Sequence, residues 1–281
     1  MWYNIYGMRR RRFASFPQKS EKGTPNLKKI ANFRELTSVP CENGRHVKEG
    51  LLFRSGHLAK KNRRSDKKLS RLGIHTVVDL RSPSETAEYP EKMPRGCSYY
   101  ALPPLNDEQN PSINKHNRRA VLKAIRAKEG GAREHLRKIY RTMVSSPDST
   151  DALSRFMEVL LENDDGAVLW HCTQGKDRTG IAAAAVLLAL GADRDDVMRD
   201  YMRSNRYYRI KNALIFAGVS LLTLSIPTAL SLNQLLSARR EYLLAAFDEI
   251  DEKWGGTSGF LTSALGLDDA KIHRLREKYL A

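Results

Sequence analysis

The residue types best able to do chemistry lie together in one stretch, Val168-Leu-Trp-His-Cys-Thr-Gln-Gly-Lys-Asp-Arg-Thr-Gly180. Its pattern predicts a buried strand ending at His171, a short loop, and a helix opening near Thr179. Such a loop aims backbone N–H groups and the positive end of a helix at one spot, which makes an anion site. Cys172 opens the loop and Arg178 closes it six residues later. The field that holds a phosphate also favours a thiolate over a thiol, as helix N-termini and basic neighbours do for reactive cysteines. Arg178 can grip two phosphoryl oxygens at once, which a lysine cannot. Gly175 lets the backbone turn tightly, and Gly180 permits close packing behind the loop.

These residues suit two successive in-line displacements at phosphorus. Cys172 would attack to form a phosphocysteine, and water would then release phosphate. Loop amides and Arg178 would hold the charge on the equatorial oxygens, so catalysis would be mainly electrostatic positioning. The scheme needs no metal and no cofactor, and no C-x-x-C or His-rich spacing points to a zinc site.

The elements that must position this loop are legible in outline. Short apolar runs predict strands at Leu51–Phe53, residues 75–80, Cys97–Leu102 and Ala167–Trp170. Ile74, Val77 and Val78 precede Asp79, which places Asp79 and Arg81 at a strand's C-terminal end. Leu153, Phe156, Met157, Leu160 and Leu161 share a helical face, with Thr150 as the expected cap. Thr179–Leu190 is Ala- and Leu-rich and stops at Gly191. Leu243, Phe247, Ile250 and Trp254 make another face, and Ile272, Leu275 and Tyr279 the last. Strands alternating with helices predict an α/β fold, its mostly parallel central sheet flanked by helices, in one domain over residues 31–281. Residues 213–232 carry no charge, but Gly218, Pro227 and five hydroxyl residues argue against a membrane span. Two short apolar helices broken near Pro227 fit better, either in the core or as a mobile apolar flap.

The chain has 281 residues and is 41% hydrophobic, enough to bury a core. Its 48 Lys and Arg against 32 Asp and Glu give a net charge of +16, which favours an anionic partner. Three cysteines exclude a disulfide-built scaffold. The positive charge concentrates in residues 1–30, 57–72 and 114–142. For each, a solvated helical face and a binding patch are equally good readings. Residues 1–30 hold Pro17, Gly23 and Pro25 with little periodicity, and are expected to form a flexible basic tail. Apolar and basic residues come in the wrong order for a secretory signal. The compartment stays open between cytoplasmic and exported, with an Arg-rich transit peptide as a further reading.

Cys172, Arg178 and Thr179 match the C-x5-R-[ST] signature of the cysteine-dependent protein tyrosine phosphatase superfamily. The fuller string from His171 to Gly180 resembles the bacterial-type group that acts on phosphotyrosine and phosphoinositides. So do Asn32-Phe-Arg-Glu-Leu36, Leu52-Phe-Arg-Ser-Gly-His57, Thr76-Val-Val-Asp-Leu-Arg-Ser82 with Glu85, and the ending from Glu241-Tyr-Leu through Gly266-Leu. Five ordered matches from about residue 30 to the C-terminus imply a phosphotyrosine-phosphatase-like fold with a helical flap over the pocket, residues 213–236 here. The resemblance makes Cys172 the nucleophile, Arg178 the phosphate clamp and Asp177 the general acid. It puts Thr173, Gln174, Gly175, Lys176 and Thr179 against the substrate, Lys176 on a second phosphate, and Asp79 at an acidic position near the pocket. An arginine-paired strand-end carboxylate is the equal alternative for Asp79. His171 and Gly180 support the loop, His171 by hydrogen bonding, and Thr179 either assists the thiolate or caps the helix.

Two features depart from the group's pattern. Glu35-Leu36 is followed by Thr37 and Ser38 where the group usually has Gly-Gly, and region 114–142 is unusually rich in arginine. An acid on a separate loop, Asp107 or Glu108, is the other mechanism open to the superfamily. The resemblance implies phosphorylated protein or phosphoinositide as substrate. The flap is expected to shield the thiolate from oxidants and to open at a lipid surface, and the positive charge is compatible with peripheral contact with an acidic membrane. The main alternative is a non-catalytic phosphate-binding module. Nucleic-acid binding has no motif beyond charge, and a rhodanese-type sulfur transferase is disfavoured by Arg178-Thr179.

Overall fold

Strands β1 (Arg34–Glu35), β2 (Leu52–Gly56), β3 (Ile74–Asp79), β4 (Ser98–Ala101) and β5 (Ala167–Cys172) form one sheet in the spatial order β1-β2-β5-β3-β4. All neighbours are parallel except the antiparallel β1–β2 pair at the edge. The computed structural model describes residues 30–37, 39–94, 96–110 and 131–281. The tail expected over residues 1–30 lies almost wholly outside them, as do Ser38 and residues 114–130 of the third basic cluster.

Strand β5 lies in the middle, and all six of its residues are buried. A strand covered on both faces reads as a continuous apolar run, which is how Ala167-Val-Leu-Trp reads. Alternation along it sends Val168, Trp170 and Cys172 to one face and Ala167, Leu169 and His171 to the other. The first face joins the larger core. The second joins a smaller one with Ile74, Val77 and Leu69.

The helices are α1 (Arg63–Arg71), α2 (Pro83–Glu88), α3 (Gly131–Ser145), α4 (Pro147–Glu162), α5 (Arg178–Ala189), α6 (Arg194–Thr223), α7 (Ile226–Leu236), α8 (Arg240–Trp254) and α9 (Asp269–Tyr279). Leu69 of α1 packs in the smaller core, while α3, α4, α5, α8 and α9 contribute to the larger one. Helix α5 is buried along its whole length. Its alanines let neighbouring elements approach closely enough to enclose it, and it ends before Gly191, whose φ is +82°.

Three expectations need correction. Helix α4 begins at Pro147, not Thr150, because proline suits a first helical turn. Ser146 is the cap, accepting from Ser149 N–H at 3.3 Å. The uncharged run is not two short helices: its first half is the end of the 30-residue α6. The break falls at left-handed Leu224 (φ 49°), and Pro227 sits in the first turn of α7. Nor is the run a core element, because Leu221, Leu222 and Leu224 face solvent. No helix among the described residues is long and apolar enough to cross a membrane. The basic residues Arg63, Arg64, Lys67 and Arg71 form the solvated face of α1. Those of α3 are largely paired, Arg141 with Glu249 and Glu252 at 2.8 Å.

Candidate active site

Cys172 is the last residue of the central strand and Arg178 the first of α5, so the loop between them sits at the carboxyl edge of the sheet. Gly175 turns it with φ +65°, and a Cβ there would lie 2.3 Å from the Ser55 backbone. No side chain fits. The carbonyl of Gly175 accepts from Asn32 Nδ2 at 2.7 Å and Arg54 Nη2 at 3.1 Å. That of Gln174 accepts from the Tyr208 hydroxyl at 2.7 Å, and that of Thr173 from His57 N–H at 3.4 Å. A trans peptide points its N–H opposite to its C=O. Three carbonyls held outward therefore turn the N–H groups of Gln174, Gly175 and Lys176 inward, as an anion cradle requires. Gly180 packs under Tyr201, whose ring a Cβ would meet at 3.0 Å.

Arg178 is buried, and its guanidinium is held by both oxygens of Glu85, at 2.5 and 2.8 Å, and by the carbonyl of Leu80 at 3.2 Å. The Thr173 hydroxyl also donates to Glu85. Burial alone would raise the Glu85 carboxyl, but Arg178 and these hydrogen bonds hold it well below the usual carboxylate range. Burial likewise opposes the charge on Arg178, and Glu85 outweighs it, so the guanidinium stays firmly protonated. Behind Gly175, Asp200 bridges Arg54 Nη1 at 2.6 Å and Arg34 Nε at 3.0 Å. Burial and the neighbouring Arg34 bring the fully buried Arg54 down to about 10, still charged at neutral pH.

Asp177 stands at the N-terminus of α5, and its Oδ1 accepts from the Tyr140 hydroxyl at 2.6 Å. Tyr140 and Tyr201 oxygens are 2.7 Å apart. Burial and the Asp177 charge push both phenols far up, so both stay protonated. Since Tyr140 donates to Asp177, Tyr201 donates to Tyr140. Lys176 is buried, 3.5 Å from Asp177 Oδ2, and donates to the Leu235 carbonyl of α7 at 2.8 Å. Helices α6 and α7 therefore both touch the loop, and Cys172 is 2% exposed.

Asp79 and His171 do not join this group. They pair across β3 and β5 on the face of the sheet opposite to Cys172. Asp79 holds Arg81 at 2.6 Å and accepts from the Tyr99 hydroxyl at 2.9 Å, so it is the arginine-paired strand-end carboxylate. Burial would raise it, but His171 and Arg81 hold it below its ordinary value. The expected hydrogen bonds of the His171 ring are not made: its nitrogens lie 3.6 Å from Asp79 and 3.8 Å from Glu91. Asp79, Glu91 and His171 could ligate a metal by distance alone, but Arg81 already ion-pairs with both carboxylates. Asp107 accepts from Ser84 N–H and hydroxyl at the start of α2. The Thr179 hydroxyl is buried without a hydrogen-bond partner and caps nothing. Cys41 and Cys97 each donate to a backbone carbonyl, of Val39 and Ile74 respectively.

Residues 25–281 match a family model described as the tyrosine phosphatase family. The chain belongs to that family. A candidate tyrosine-protein phosphatase of Cupriavidus necator is 31% identical to it over 255 residues, 90% of this chain and 86% of the relative. The triple specificity protein phosphatase PtpB of Mycobacterium tuberculosis is 30% identical over 270 residues, 87% of this chain and 95% of PtpB. Among solved structures, P. aeruginosa TpbA in complex with phosphotyrosine aligns over 63% of this chain and 80% of its own, with 18% identity and a TM-score of 0.28, too loose to carry an argument.

Glu85 and Arg54 of this phosphatase lie inside the matching segments, which assign neither a task. Glu85 did carry a signal, because Ser82-x-x-Glu85 is a capping box and forms as one. Tyr140, Tyr201 and Tyr208 carried none. They meet the loop from helices distant in sequence.

Proposed function

We propose that the protein hydrolyses phosphotyrosine and phosphoinositide monoesters through a phosphocysteine at Cys172. The observation that carries this is one loop holding Cys172, Asp177 and Arg178 together, on the end of the central strand and the first turn of α5. The Cys172 thiolate attacks phosphorus in line, the S–P bond forms, and the ester P–O bond breaks. Asp177 gives its proton to the leaving oxygen, with Tyr140 fixing the carboxyl through Oδ1. Water then attacks phosphorus, Asp177 takes its proton, and the S–P bond breaks to return the thiolate. Arg178, its plane fixed by Glu85, and the inward amides carry the equatorial charge in both steps.

PtpB, a relative similar over most of its length, is named a triple specificity phosphatase, which supports a broad phosphomonoester range. Lys176 is the residue for a second phosphate. Its ammonium is now on the Leu235 carbonyl, so reaching a lipid headgroup requires α7 to shift.

The test is phosphate release by wild type and Cys172→Ser, without added metal, on a phosphotyrosine peptide and a panel of phosphoinositides. Release by wild type alone is expected. Release that survives the substitution removes the cysteine from the mechanism. A folded protein that binds phosphate and releases none from any substrate makes the loop a binding module.

A further inference from the structure

Among the described residues, every exposed leucine and isoleucine except Leu244 lies between Ile210 and Leu230, on the α6–α7 hairpin. At its tip, Leu221, Leu222, Leu224 and Ile226 are 75, 85, 89 and 62% exposed. Apolar side chains this exposed and this contiguous mark an interaction surface. From Tyr201 to Leu236 the chain carries Arg203, Arg206, Arg209 and Lys211 and no acid. Arg206, Arg209 and Lys211 are exposed, with Tyr207 beside them. An apolar tip thus stands above a basic collar.

We propose that this tip is a docking surface for an anionic lipid bilayer. Lys211, Arg209 and Arg206 are 13, 15 and 18 residues from Leu224, so at 1.5 Å per residue the collar lies roughly 20–27 Å from the tip. A hydrocarbon core of about 30 Å is too thick for such an arm to cross. Interfacial insertion of about 5–10 Å buries the four tip side chains. Lys211 is then left about 10–15 Å from the lipid boundary and Arg206 about 17–22 Å, one to two Debye lengths, where anionic headgroups attract the nearer charges most. A second copy of the chain fits less well, because its tip and hairpin carry no acid for the collar to meet. The surface does not depend on which ester the loop cleaves.

The test is co-sedimentation with phosphatidylcholine vesicles, with and without about 30% phosphatidylglycerol, at about 0.1 M salt. The anionic vesicles should bind wild type and Cys172→Ser alike, so failure of docking and failure of the catalytic reading show separately. The variant Leu221→Gln/Leu222→Gln/Leu224→Gln/Ile226→Gln should bind about tenfold or more weakly. Its melting temperature and aryl phosphate turnover should be unchanged, since all four side chains face solvent. Arg206→Gln/Arg209→Gln/Lys211→Gln should lose the preference for anionic vesicles. Three results overturn the proposal: no binding by wild type, equal binding by the tip variant, or self-association of wild type that the tip substitutions abolish.

Discussion

At the scale of single residues, the loop divides its work between groups that meet the substrate and groups that hold them. Asp177 is the proposed acid, held in the loop by Tyr140, while Asp107 accepts from Ser84 at the start of α2. Asp177→Asn should therefore slow turnover of phenyl phosphate and phosphotyrosine by about 10²–10⁴. It should slow an activated aryl phosphate far less, because a good leaving group needs no proton. Comparing the two substrates on Asp177→Asn and Asp107→Asn decides the assignment, and equal losses from Asp107→Asn alone would reverse it. Glu85 belongs to the holding groups. Glu85→Gln leaves the buried Arg178 charge without its counter-ion, which typically costs about 3–5 kcal/mol. Urea unfolding should show a loss of that order, and an unchanged midpoint would mean that Leu80 and the loop hold Arg178 without it.

At the scale of elements, the α6–α7 hairpin touches the loop from two helices. Tyr208 and Leu235 each hold one loop residue, and Cys172 is buried. A flap over the pocket would let peroxide reach the Cys172 sulfur only when it opens. Replacing residues 213–236 by a short Gly-Ser linker should speed inactivation by hydrogen peroxide, measured as residual turnover against time. Thermal melting of the shortened protein controls for loss of fold. Inactivation at the wild-type rate would mean that the thiolate is reached by another route. The hairpin's two ends thus differ in task, its base gripping the loop and its tip facing solvent.

At the scale of the whole molecule, buried charges tie stability to pH. Burial and the nearby Arg81 push the His57 imidazole down to about 4, so the fold prefers it neutral. An unfolded histidine titrates near ~6.5. Between these values the unfolded chain binds more protons, so stability is full above the upper one and falls as pH drops toward the lower. Glu85 and Asp200 are both held below the ordinary carboxylate range. Their contribution is present above the unfolded values and is lost as pH falls further, through their depressed folded values. Melting temperature should decline from neutral pH and then drop steeply in acid. His57→Gln should flatten the first decline and leave the second, and a profile unchanged by the substitution would place that titration elsewhere.

The sequence alone determined what depends on local spacing. Cys172, Arg178 and Gly175 sit on a strand–loop–helix turn whose geometry needs no distant partner, and the apolar run of β5 marks a strand buried on both faces. The capping box Ser82-x-x-Glu85 was equally local, and it placed Glu85 on a helix start without saying that the helix faces Arg178. Only the tertiary structure decided which faces meet. One-residue alternation puts Asp79 and His171 on the side of the sheet away from Cys172. Residues 37, 61 and 93 positions apart from their partners, Tyr140, Tyr201 and Glu85, complete the site because α2, α3 and α6 converge on the loop. The uncharged run 213–232 shows the same limit. Its composition suits a core helix and a flap alike, because hydrophobicity reports that a surface must be covered and packing decides what covers it.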